Sequence, residues 1–265
     1  MADLLQHVRD TGFPYPQCLI HVFIGGSQLH GAKIHGTDDM DIYGVYVEPP
    51  EWALGLSPFP HFVWSTAGDD HRNGPNDIDV TLYSLRRWAE LACKGNPTAL
   101  HFLFSPLAIR SPAWDAVLAH KDVFAAKSSA THFLGFADNQ LKRMTGERGR
   151  GKKGQRPALE LEFGFDVKAA MHSIRLLYEC KEFVTSGHIT LPRPEKDLLI
   201  RVRTGHYSMD KVLEMARVLF RECEDAQKAS RLPDEIDRTK VSVLIAQCCR
   251  SFWDDTQAIF TTAEG

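Results

Sequence analysis

Apolar positions run together in the N-terminal third of the chain and recur at helical spacing later. Cys18 to Ile24 is a short apolar run that predicts a buried strand. Gly25-Gly26-Ser27 breaks it. Asp41 to Val47 is rich in β formers and predicts a second strand, ended by Pro49-Pro50 because proline cannot extend a ladder. Ile78 to Leu82 predicts a third, with Ile78 and Val80 alternating against Asp77 and Asp79. Residues 57–76 are crowded with Pro, Gly, Asn and Asp and read as loop.

Beyond Leu82 the period changes. Ser84 can cap a helix running to about Lys94, and Asn96-Pro97 pairs an N-cap with an N1 proline for a helix through Phe104. From about residue 112 the chain reads as helical. The clearest segment, Phe165 to about Phe183, carries Val167, Met171, Ile174 and Tyr178 as an apolar stripe. Another helix is expected to start near Ser208, with Asp210 in its first turn. The pattern predicts an α+β protein: a mixed-sheet core over residues 1–110, then a helical domain over 111–265 that carries a basic, glycine-rich loop at 145–157.

Composition adds little: 43% hydrophobic, 25% charged and a net charge of -3 describe an ordinary globular chain with no global attraction for nucleic acid. Only the loop is biased, with five basic residues and four glycines against one acid, so a nucleic-acid contact would be local. No apolar run reaches the ~20 residues that span a bilayer, and the start lacks signal-peptide order. The six cysteines form no Cys-x-x-Cys and read as reduced thiols of a cytoplasmic protein. The histidines show no zinc-site spacing with them.

The carboxylates change the picture. Asp39 and Asp41, two apart on a strand, project to one face and offer the hard oxygens that magnesium prefers. A Gly-Gly-Ser turn allows close backbone approach to phosphate oxygens. A third carboxylate on a neighbouring strand would complete a two-metal site for phosphoryl transfer. Asp79 fits that place, and Asp77 competes for it from the same face.

This order (strand, Gly-Ser, a gap, Asp-x-Asp, a later acid) resembles the signature of the DNA polymerase beta superfamily. Asp39 to Val45 is similar to the Asp-x-Asp-x-x-Gly-Val run of a bacterial and phage branch that includes the RlaP-type RNA-repair enzymes. Tyr83 to Arg87, Lys94 to Thr98, Lys168 to Leu176 and Leu199 to Gly205 extend the resemblance over nearly the whole chain. It implies a polymerase-beta-like nucleotidyltransferase core and a magnesium-dependent transfer, with manganese as the alternative ion, of a nucleoside monophosphate from a triphosphate such as ATP to an acceptor hydroxyl. Asp39 and Asp41 would bind both metals. Asp79 would bind the catalytic one and help deprotonate the acceptor. Gly26 and Ser27 would hold the β and γ phosphates.

Lys168, His172 and Arg175 form a stripe at i, i+4 and i+7. It would grip triphosphate or RNA backbone, or else form a solvated face with Glu179 pairing Arg175. The resemblance and the basic loop favour RNA, a 3′ end or a damaged tRNA, as acceptor. The alternatives are a protein side chain, as in toxin–antitoxin transferases, a small molecule, or a non-catalytic nucleotide-sensing module. No membrane partner is expected.

Overall fold

The computed structural model describes residues 2–34, 36, 38–68, 74, 76–106, 108–147 and 157–261. Most of the basic loop, Arg148 to Arg156, lies outside them, as does His35. Five strands, β1 (Leu19–Ile24), β2 (Met40–Tyr46), β3 (His61–Ser65), β4 (Ile78–Ser84) and β5 (Ala108–Arg110), form one sheet in the order β3-β4-β2-β1-β5. The pair β2–β4 is parallel and every other pair is antiparallel.

β3 corrects the reading of residues 57–76 as loop. It stands at the sheet edge beside β4, with prolines at 58 and 60 just ahead of it, and its side chains are exposed or half-buried rather than buried. The three-residue β5 is too short to leave an apolar period.

Alternation along the strands sorts side chains to two faces. Val22, Ile42, Tyr46, Val80 and Leu82 pack on one side with Val8 of α1 (Ala2–Asp10) and Phe13. On the other, Phe23, Tyr43 and Val45 meet the helices. Ile20 joins that helical side because a bulge between Leu19 and His21 adds one residue to β1.

Two short helices, α2 (Gly26–Leu29) and α3 (Pro50–Ala53), follow β1 and β2. Next come α4 (Leu85–Cys93), α5 (Pro97–His101), α6 (Pro112–Leu118), α7 (Ser129–Met144) and α8 (Pro157–Phe163). The chain continues through α9 (Val167–Ser186), α10 (Lys196–Arg203), α11 (Met209–Ala229) and α12 (Arg238–Thr261). The caps read from sequence form: Ser84 accepts from Arg87 N–H at 3.2 Å and Asn96 from Ala99 N–H at 3.1 Å; the helix expected near Ser208 starts there, with Ser208 accepting from Lys211 N–H at 3.3 Å. The helix after Asn96 stops at His101, short of Phe104.

α9 positions the site. It packs against α7, α10 and α11, and Ala170, Ile174, Leu177 and Cys180 are fully buried. Asp166 caps its start through Ala169 N–H at 2.9 Å, and Gly187, at φ +70°, supplies the left-handed turn at its end. A helix apolar on nearly every face holds its remaining polar side chains in a fixed direction. No described helix is long and apolar enough to cross a membrane.

Candidate active site

β1 runs antiparallel to β2, so Gly25 and Gly26, just past the end of β1, meet the first residues of β2. In the β2–β4 register Asp41 is the direct partner of Asp79. Both therefore project to the same face, the one carrying Tyr43 and Tyr83. Asp39 lies just ahead of β2. Asp77 is used otherwise: it accepts from Thr66 Oγ1 at 2.6 Å and from Gly74 N–H at 2.6 Å, closing the turn before β4. Those bonds, the Gly74 one foremost, hold its carboxyl below the usual range.

The two glycines are required by contact. A Cβ on Gly26 would lie 1.9 Å from Asp41 Oδ2, and Gly26 sits at φ +57°. A Cβ on Gly25 would lie 2.2 Å from the Tyr43 ring. Gly25 N–H also donates to the Asp41 carbonyl at 2.8 Å. The Gly-Gly pair is thus the surface against which Asp41 and Tyr43 pack.

Burial pushes the Asp41 carboxyl up to about 6, with the neighbouring Asp39 and Asp79 carboxylates adding to the effect and Lys168 opposing it. Three acids gathered at one sheet end, with Asp41 driven towards protonation by its burial and by the other two, make a set of hard oxygen donors. That donor set fits a divalent cation.

Asp38 is a site residue missed in the sequence. Its side chain is buried and accepts from Ser27 Oγ at 2.9 Å, Ile34 N–H at 2.9 Å and Arg203 Nη1 at 2.8 Å, with Arg203 Nη2 on its second oxygen. Arg203 Nη1 also reaches the Ala32 carbonyl at 3.1 Å. Lys168 Nζ stands 3.9 Å from Asp38 Oδ1. Burial alone would raise the Asp38 carboxyl, and the bonds from Arg203, Ile34 and Ser27 outweigh it and hold it below the usual range. Asp38 ties the segment just ahead of Asp39 to α10 and accepts the hydrogen bond that the Ser27 hydroxyl donates. Ser27 therefore offers a phosphate its backbone more readily than its O–H.

Lys168, His172 and Arg175 line the same cavity as Gly26, Ser27, Asp39 and Asp41, a cleft of about 330 Å³. Asp79 is outside that lining. The stripe is half-buried rather than a solvated face. Arg175 does pair with Glu179, at 2.9 Å, but in the interior: Glu179 is fully buried.

Glu179 anchors a network that no local sequence signal announces. His101 Nε2 lies 3.1 Å and His30 Nδ1 3.3 Å from its oxygens, and Arg175 Nη1 donates to His30 Nε2 at 3.0 Å. Burial would raise the Glu179 carboxyl, yet Arg175, then His101 and His30, hold it well below the carboxylate range. Burial, then Arg175, keeps the His30 ring neutral. The ligand atoms of His30, His101 and Glu179 fall within 4.8 Å of one another, a metal-like spacing. Arg175 already fills the role of cation there. By donating to Nε2 it leaves the His30 proton on Nδ1, the atom that would have to ligate.

The family model for the RNA repair pathway DNA polymerase beta family (RlaP) matches residues 2–244. An uncharacterised 38.9 kDa protein of enterobacteria phage T4, from the nrdC–mobD intergenic region, is 28% identical over 138 residues. The match spans 50% of this chain but only 39% of that relative. Among solved structures, a nucleotidyltransferase-like protein from Exiguobacterium sibiricum is 10% identical, with 84% of this chain and 72% of that one covered and a TM-score of 0.30.

Proposed function

Because the chain belongs to the RNA repair pathway DNA polymerase beta family, we propose that it is a nucleotidyltransferase that moves a nucleoside monophosphate from a triphosphate such as ATP to a hydroxyl of RNA. The observation that carries the reading is the Asp41–Asp79 register pair, with Asp39 beside it and Gly26 packed on Asp41. Asp39, Asp41 and Asp79 would hold magnesium or manganese. When bound, such an ion neutralises phosphate oxygens and acidifies the attacking hydroxyl.

The chain's own groups do the rest. Gly26 and Ser27 receive the β and γ phosphates, and Lys168, His172 and Arg175 face them from α9. Glu179 keeps the Arg175 guanidinium in one orientation, so little ordering remains to be done on binding. The acceptor oxygen attacks the α-phosphorus. The bond from that phosphorus to the oxygen bridging to the β-phosphate breaks, and pyrophosphate leaves with the electron pair. The hydroxyl proton passes to a carboxylate oxygen of Asp79. Its position outside the cavity lining suits a group that meets the acceptor rather than the donor.

The test is incubation with triphosphates labelled at the α-phosphate, with RNA and protein offered together. Label entering RNA, magnesium-dependent and lost in Asp41→Asn, is the expected result. Label entering protein and never RNA overturns the acceptor. Pyrophosphate release that survives Asp41→Asn overturns the metal assignment.

A further inference from the structure

One wall of the cleft comes from α7. Phe136 and Gln140 stand four residues apart on α7, on one face of that helix, and both line the cavity. Other α7 apolar side chains turn inward: Phe133 and Ala137 are fully buried. Phe136 is 41% exposed, an aromatic ring presented to the same space as Gly26, Asp41 and Lys168. Met171 and Leu176 of α9 add apolar surface to that space. The cleft thus combines a charged lining, suited to phosphates, with an aromatic and apolar one, suited to a flat heterocycle.

We infer that Phe136 and Gln140 form the base-binding wall of the cleft: the Phe136 ring stacks on the nucleobase of the donor triphosphate and the Gln140 amide meets the base edge. This rests on the nucleotidyl-transfer reading above and names where its donor sits. The donor, not the acceptor, is assigned here because the cavity holds Asp39 and Asp41 while Asp79 lies outside its lining. Stacking suits any base, since every base has a π face, so Phe136 supplies affinity. The Gln140 amide offers donors and an acceptor together, so it supplies preference among bases.

The experiment is calorimetric titration of the full chain, with magnesium, using nucleoside triphosphate analogues whose α–β bridge cannot be cleaved. Inorganic tripolyphosphate is titrated in parallel. Phe136→Ala should weaken the nucleotide by about 5- to 150-fold and leave tripolyphosphate unchanged, and Phe136→Trp should restore nucleotide binding. Gln140→Leu should change the ratio of affinities among the four bases. Nucleotide binding by Phe136→Ala equal to the parent's, or an equal loss for tripolyphosphate, overturns the inference while leaving nucleotidyl transfer intact. A parent chain that binds neither ligand overturns both.

Discussion

Replacing Gly26 with alanine separates two effects that the structure places on one atom. The added Cβ would start 1.9 Å from Asp41 Oδ2, and real Cβ contacts essentially never fall below 3.0 Å, so the carboxylate must retreat by about 1.1 Å. The backbone cannot absorb the clash cheaply, because φ is +57° and a side chain there costs about 1–2 kcal/mol. A displacement of ~1 Å in a positioning group can cost about 100-fold in rate. The strain alone lowers Tm by roughly 2–8 °C for a chain of this size. Gly12→Ala is the control: φ is +74° with nothing within 4 Å of the new Cβ, so it carries the strain without the clash. Pyrophosphate release and thermal melts, run side by side, should show both variants melting early and only Gly26→Ala losing turnover. A Gly26→Ala protein with the parent's rate would refute the packing of Asp41 on Gly26.

Three further outcomes follow from the same geometry. Asp79→Asn should lower kcat by about 100- to 10,000-fold if Asp79 accepts the acceptor's proton, whereas Asp77→Asn, which loosens only the turn before β4, should keep kcat near the parent's; equal losses would undo the assignment. Arg203→Met leaves Asp38 buried without its guanidinium and should cost about 3–5 kcal/mol in urea unfolding, with part of the loss recovered by adding Asp38→Asn. His21 is held down to about 3, by burial first and the nearby Arg110 charge as a lesser cause. The unfolded chain therefore binds a proton near pH 6.5 that the folded chain refuses, and stability falls as pH drops below that point, by about 1.4 kcal/mol per unit, or ~2 kcal/mol at pH 5. His21→Phe should keep the stack on Trp114, 4.5 Å away, and make this slope shallower by the His21 share, leaving what the buried His30 contributes. Parallel slopes for parent and variant in urea titrations at pH 7, 6 and 5 would refute it.

The parts legible in the sequence are those that neighbours along the chain decide. A strand broken by Gly25-Gly26-Ser27, an Asp-x-Asp opening a β-rich run, the Ser84 and Asn96 caps and the helix start near Ser208 all announce themselves within a few residues. What is written across the chain stays hidden. Alternation puts Asp77 and Asp79 on one face; only the pairing of β4 with β2, and the turn that Thr66 and Gly74 make with Asp77, tells them apart. Asp38 reads as one more acid in an acidic run until Arg203 reaches it. Glu179 reads as an i, i+4 partner on a wet helix face, because its burial comes from α9 lying inside the bundle and its other partners sit at positions 30 and 101. β3 is obscured because prolines at 58 and 60 stand just ahead of it and its own side chains are exposed or half-buried.

The Asp38–Arg203 bond joins residues 165 positions apart. Closing a loop of that length costs about 4–5 kcal/mol of chain entropy, so the clasp forms late and only on a largely assembled body. All three acids proposed to hold the metal ions lie within the first 80 residues, but the segment that bears two of them is fixed by a side chain made much later. During synthesis the acids leave the ribosome well before their fastener. On the proposed reading, a half-made chain would carry the metal-binding acids without the alignment that lets them act, and transfer would switch on only as α10 arrives.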